Sequence, residues 1–217
     1  MDSERRIDDM KHGFIRVAAA TPDVKVADPQ FNRTEICALI RAGIERKAKL
    51  MVFPELSLTA YTCGDLFGQD ALLSGARREL KEILKETEGS DLLAFIGMPW
   101  ERGGKLYNAA VAVQNGRILG VVPKTNLPNY AEFYERRYFE PGNEIPVMVS
   151  WEGQRFPMGT NILFACEEMP GFVVAAEICE DAWVPCPPSI RHTAAGATVI
   201  VNCSASDETT GKDIYRR

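Results

Sequence analysis

Short apolar runs rich in Val, Ile and Phe alternate along the chain with longer stretches whose apolar residues recur at helical spacing. Residues 14–20 read as a first strand. Asp28 followed by Pro29 marks a helix start, because Pro at the first helical position has no N–H to leave unpaired. Ile36, Leu39, Ile40 and Ile44 then share one helical face, with basic residues toward the end. A second strand is expected over residues 49–53 and a third over 92–97. Between them lies a second helix over 71–88, carrying Leu72, Leu73, Leu80, Ile83 and Leu84.

The pattern then changes. Residues 107–114, the dipeptide Asn115-Gly116 and residues 117–122 form a hairpin signal, since Asn-Gly accepts the positive φ of a type I′ turn. Residues 123–146 are long and irregular, the kind of ordered loop that usually carries function. Strands are expected over 160–165, 172–178 and 197–202, with a short helix over 188–195. The outcome is a mixed, layered α+β fold with at least one hairpin; a purely parallel, doubly wound sheet fits less well. One domain over residues 14–217 is expected behind a polar N-terminal extension, residues 1–13. The charged end, residues 212–217, reads as the start of a helix, so the sequence is expected to be a piece of something longer.

Composition narrows the function classes. Of 217 residues, 46% are hydrophobic and 25% charged, enough for one sizeable core. A net charge of -5 provides no electrostatic footprint for nucleic acid or an anionic membrane. No apolar run reaches the roughly 18 residues needed to span a bilayer. The opening segment is mixed in charge and does not read as a signal peptide, so the cytoplasm is the expected compartment. The six cysteines, at 37, 63, 166, 179, 186 and 203, contain no Cys-x-x-Cys pair, and the two histidines are His12 and His192. No zinc site is expected from that set, and free thiols are. Cys186, among prolines, and Cys203, after a strand, read as structural.

Chemistry collects where apolar runs end. Leu50 to Pro54 delivers Glu55, Ile118 to Pro123 delivers Lys124, and Phe172 to Ile178 delivers Cys179. Thr198 to Val201 delivers Asn202, with Ser204 and Ser206 just beyond. Strand ends are where a rigid element aims a side chain into a crevice of loops. Taken singly, Glu55 is as easily a surface carboxylate, Lys124 a solvated loop lysine and Cys179 a buried structural thiol. Glu177, Glu180 and Asp181 argue against a wholly apolar setting, but acids raise a thiol pKa. A functional Cys179 therefore needs a base and a cation from elsewhere in the chain. Glu55 and Lys124 are one of each, and the trio suits amide cleavage: nucleophile, proton acceptor and oxyanion stabiliser.

These residues resemble the Glu-Lys-Cys signature of the nitrilase superfamily. The resemblance lies in Phe-Pro-Glu-Leu at 53–56, Val-Pro-Lys-Thr at 122–125 and Glu-Ile-Cys-Glu-Asp-Ala-Trp at 177–183, followed by Val-Ile-Val-Asn-Cys-Ser-Ala-Ser at 199–206. A narrower resemblance, to glutaminase domains of glutamine-dependent NAD synthetases, rests on residues 127–137, 139–142 and 204–217. It implies a four-layer αββα sandwich and attack of Cys179 on the side-chain amide of L-glutamine. Glu55 would be the base and Lys124 the oxyanion stabiliser, with the Glu180 backbone N–H beside it. Tyr130, Ser206 and Lys212 would hold the glutamine, with Tyr61 and Glu180 as weaker candidates. No metal or cofactor is implied for this domain. ATP and Mg2+ belong to a synthetase domain expected in cis in a longer parent chain, and a homo-oligomer is expected. The phosphate-binding glycine motif of such a synthetase does not occur in the sequence. The runner-up is a free-standing amidase or carbamoylase of the same superfamily.

Overall fold

A computed structural model describes residues 13–215; most of the expected N-terminal extension lies outside the described residues. The first strand is β1 (Val17–Ala19), followed by α1 (Pro29–Glu45), β2 (Leu50–Val52) and α2 (Asp70–Glu86). Next come β3 (Leu93–Arg102), β4 (Lys105–Gln114) and β5 (Arg117–Pro123), then β6 (Val147–Trp151) and β7 (Gln154–Met158). The chain continues through β8 (Phe164–Ala165), β9 (Val173–Ile178), α3 (Pro188–Ala194), β10 (Val199–Cys203) and α4 (Lys212–Tyr215).

The strands form a seven-stranded mixed sheet, ordered β1-β2-β3-β4-β5-β7-β6, and a three-stranded sheet, β10-β9-β8. Side-chain alternation along the central strands builds the layers. On β3 and β4, Ala94, Ile96, Met98, Ala109, Val111 and Val113 face Ile36, Ile40, Leu80 and Ile83 of α1 and α2. Their neighbours Leu93, Phe95, Ala110 and Ala112 face Phe164, Val174, Ala176 and Val201 of the small sheet. Because both faces of β3 are buried, its sequence is a nearly continuous apolar run. The short α3 packs on the outer side of β9, completing an αββα sandwich. Fully burying a side chain the size of Phe95 contributes about 1.5–3 kcal/mol, so this double-faced core is the main source of stability.

The helix start at Asp28 forms as expected: its Oδ1 accepts the Phe31 N–H at 3.0 Å. Three features differ from the sequence-based expectation. The hairpin β6–β7 sits in a stretch to which no element was assigned, because its turn is Glu152-Gly153. Both residues adopt positive φ (48° and 75°), and Glu in that role is not a turn signal. The strand expected over 160–165 is only Phe164–Ala165, since Thr160 is held instead by the Asn143 carbonyl. Tyr61–Gly68, to which no element was assigned, forms 3-10 turns interrupted at Thr62 and Gly64.

Gly97 on β3 lets the Glu55 segment lie flat on the sheet. Its carbonyl accepts the Leu58 N–H at 3.0 Å, and a Cβ there would collide with the Pro54 carbonyl and the Leu56 amide. Gly97→Ala is expected to lower stability by about 1–3 kcal/mol in denaturant unfolding. An unchanged midpoint would show that this segment is free to move away.

Candidate active site

Three backbone devices present the trio. After β2, Phe53-Pro54 leads into a tight turn in which Leu56 takes φ 52° and the Ser57 and Thr59 amides bond back to Pro54 and Leu56. Glu55 is thereby pinned beneath β3. After β5, Lys124 donates its N–H to the Asn108 carbonyl and accepts from the Gly142 N–H, each at 2.8 Å. Gly142 has no room for a Cβ, which would lie 2.6 Å from Pro123 and 2.7 Å from Thr160. After β9, Cys179 adopts φ 44°, a left-handed conformation rare for a residue with a side chain. Its N–H donates to Asn202 Oδ1 at 3.0 Å, which explains why Asn202 stands at the end of the neighbouring strand.

Lys124 has no exposed surface and sits between two carboxylates, 2.7 Å from Glu55 Oε1 and 2.6 Å from Glu135 Oε1. Asn108 Nδ2 also donates to Glu55 Oε1 at 2.6 Å, and the Ala205 N–H donates to Glu55 Oε2 at 3.2 Å. Burial pulls the Lys124 pKa down, but Glu55 and Glu135 outweigh it and leave it above the usual value. For Glu55, burial dominates and raises the pKa; Lys124 opposes it and Glu135 adds to it. Two of the three ammonium donors are engaged, so one has no partner among the described residues.

The Cys179 thiol is part-buried and receives a hydrogen bond from Ser204 Oγ at 3.3 Å. Its pKa is pushed up to about 11, by burial first and by the Glu55 carboxylate second. The adjacent acids expected to cause that rise are occupied otherwise. Glu177 accepts the Ser189 N–H at the start of α3, Glu180 accepts from Tyr130, and Asp181 is buried among backbone amides. The base expected from elsewhere in the chain is thus also the charge that suppresses the resting thiolate.

The remaining expected residues divide. Tyr130 Oη lies 3.0 Å from both Glu180 carboxylate oxygens at the exposed side of Cys179. Tyr61 Oη donates to Glu135 Oε1 at 2.8 Å, and its pKa is raised by burial and by Glu135. Lys212 pairs with Asp207, and Ser206 is exposed; among the described residues neither side chain bonds to the trio. Ser204 is the serine at the thiol. Glu135 and Asn108 were missed. Glu135 lies within an irregular, charge-rich loop where nothing in the spacing separates a buried carboxylate from the solvated acids around it. Asn108 looks like one more strand residue. Cys186 is exposed, and Cys203 is buried as expected. Two cavities of about 590 and 620 Å3 lie elsewhere, and the trio lines neither.

The thiol pKa yields a prediction. Alkylation of Cys179 by iodoacetamide should keep rising through pH 9, because the thiolate fraction grows until about pH 11. Glu55→Gln removes a negative charge and should shift that rise to lower pH. A plateau below pH 9 in the unaltered chain, or no shift in the variant, would contradict the assigned electrostatics.

The family model for carbon-nitrogen hydrolase matches residues 16–215. The glutamine-dependent NAD(+) synthetase of Mycobacterium bovis is 43% identical over 209 residues, covering 95% of this chain and 30% of that protein. The chain therefore spans about 30% of the length of the curated relative it matches. Among solved structures, a glutamine-dependent NAD(+) synthetase from Cytophaga hutchinsonii aligns with a TM-score of 0.81 at 28% identity, covering 93% of this chain and 32% of that one. An amidase from Nesterenkonia sp. aligns with a TM-score of 0.67 at 20% identity, over 92% of this chain and 68% of its own; that likeness concerns the fold alone. By the family match over nearly its whole length, this chain belongs to the carbon-nitrogen hydrolases.

Proposed function

We propose that the chain hydrolyses the side-chain amide of L-glutamine through a thioester on Cys179 and releases ammonia. The observation that carries this reading is the placement of Glu55, bonded to the buried Lys124 ammonium and close enough to Cys179 to raise its pKa. Glu55 takes the thiol proton as sulfur attacks the amide carbon. The developing oxyanion meets the spare Lys124 donor and the Glu180 N–H. Collapse of the tetrahedral intermediate returns the proton to the leaving nitrogen, giving ammonia and a γ-glutamyl thioester. Glu55 then deprotonates water, which cleaves the thioester to glutamate and restores the thiol. Glu135 holds Lys124 in place and charged, and Tyr61 holds Glu135.

The choice of glutamine rests on the relatives named above, whose printed names specify glutamine dependence. In the same proposal Tyr130, Glu180, Ser206 and Lys212 face the amino-acid end of the substrate. The Lys212–Asp207 pair opens to offer a cation to the α-carboxylate and an acid to the α-amino group. The ammonia serves a synthetase unit that makes NAD, in keeping with the relatives' printed names; amidation of deamido-NAD with ATP and Mg2+ is assigned in this proposal to that unit. The domain proper begins near residue 14, in a cytoplasmic protein that assembles as a homo-oligomer.

Ammonia release from L-glutamine, compared with simple aliphatic amides and carbamoyl compounds, tests the proposal. Glutamine should be strongly preferred; preference for a simple amide would replace glutaminase with a general amidase. Cys179→Ala should reduce turnover on the order of 10⁴- to 10⁶-fold, and Lys124→Met by about 10²–10³-fold or more. Because Glu55 must be ionised and its pKa is raised, the acid limb of turnover should lie above the ordinary glutamate value of 4.5. Glu135→Gln deletes a charge that raises Glu55, so the limb should move to lower pH. Movement to higher pH would contradict the assigned coupling.

A further inference from the structure

We infer that Asp181 is a positioning residue whose carboxylate fixes the Lys124 segment against the Cys179 turn and so sets the spacing of cation and nucleophile. Asp181 is 1% exposed, and no ammonium or guanidinium pairs with it among the described residues. Its charge is met by donors from two separate parts of the chain. Oδ2 accepts the Ile178 N–H at 3.1 Å, immediately before the nucleophile. Oδ1 accepts the Asn126 N–H at 2.7 Å and Asn126 Nδ2 at 2.8 Å, two residues past Lys124. The Thr125 N–H lies between the oxygens, at 3.2 and 3.3 Å.

These bonds cross between the two sheets. Lys124 follows β5 of the large sheet, and Cys179 follows β9 of the small one. Apolar packing between sheets is non-directional and leaves small sliding shifts inexpensive. A carboxylate with both oxygens engaged on opposite sides is directional, and a buried ionised group tolerates no loss of its donors. The Oδ2 bond also closes the turn that holds Cys179 at φ 44°, so the same group stabilises a strained nucleophile. Without it, Cys179 retains its base, Glu55, but loses its registration with the ammonium that meets the oxyanion.

Asp181→Asn is the primary variant, since it preserves shape. Its amide oxygen can stay on the three Thr125–Asn126 donors, which turns an NH2 group toward the Ile178 N–H and breaks the link on the nucleophile side. In so far as the inference concerns catalysis it rests on the proposed glutamine hydrolysis, and misplacement of about 1 Å costs on the order of 10²-fold in rate. The expected result is that order of loss in glutamine turnover with KM little changed. Alkylation of Cys179 by iodoacetamide, which needs no oxyanion stabilisation, should stay within a few-fold. Turnover within two-fold of the unaltered chain overturns the inference. So does a parallel fall of turnover and alkylation, which marks a general structural role.

Asn126→Ala keeps the carboxylate and deletes one donor; it should show the same pattern at about 2- to 10-fold, the worth of one hydrogen bond. This variant decides the question if Asp181→Asn does not fold. Amide hydrogen exchange separates the inference from the function on which it rests. Faster exchange at Ile178 in Asp181→Asn supports the link even if the unaltered chain proves inactive on glutamine, and unchanged exchange there refutes it.

Discussion

The site is organised by one buried cation, the Lys124 ammonium clamped between Glu55 and Glu135. With two carboxylates and one ammonium out of water, the Lys124 charge favours ionised Glu55, while burial and the Glu135 charge oppose it. Such a cluster is weak evidence for stability, because a packed apolar group of similar volume often does as well. Losing the ammonium, by contrast, leaves buried carboxylates without a counter-charge at a cost of about 3–5 kcal/mol. The surrounding chain is accordingly committed to holding it. Gly97 makes room for the Glu55 turn, Gly142 anchors the Lys124 backbone, Asn108 bonds both carboxylates, and Tyr61 fastens Glu135.

The same cluster determines how the thiol behaves. A carboxylate beside a half-buried cysteine suppresses its thiolate, and a pKa of about 11 means that the resting nucleophile is protonated near neutrality. In the proposed mechanism activation is coupled to substrate: the proton leaves for Glu55 as the carbon–sulfur bond forms. In the proposed cycle this favours amides that fill the site over adventitious electrophiles in solution. In the same proposal no histidine is needed, because Glu55, whose pKa is raised by burial, takes the role of base. His192, whose Nε2 lies 2.9 Å from the Thr160 carbonyl, is on the buried face of α3 instead.

Much of this was legible in the chain. Apolar alternation on β3 and β4 and the Asn115-Gly116 turn identify the central sheet, and each strand end reports a reactive residue. The legible features are local: a period, a turn dipeptide, a polar group after an apolar run. The β6–β7 hairpin escaped because Glu152 occupies a positive-φ position that only the fold enforces. Glu135 escaped for a related reason. Its burial is created by packing of the 130s loop over Tyr61 and Lys124, and no short-range pattern encodes it. The order of effects on Cys179 was equally hidden. Its sequence neighbours are acids, yet the acid that acts on it stands 124 residues earlier in the chain.

The covalent intermediate is the most direct test of the central claim, that a buried Glu-Lys pair drives cysteine acylation by a carboxamide. Rapid acid quenching of the chain during glutamine turnover, followed by intact-mass and peptide mass spectrometry, should reveal an adduct of glutamine less ammonia. The adduct should sit on the peptide bearing Cys179 and disappear on treatment with hydroxylamine. Ammonia release with no such adduct, or with an adduct confined to another cysteine, would contradict the account.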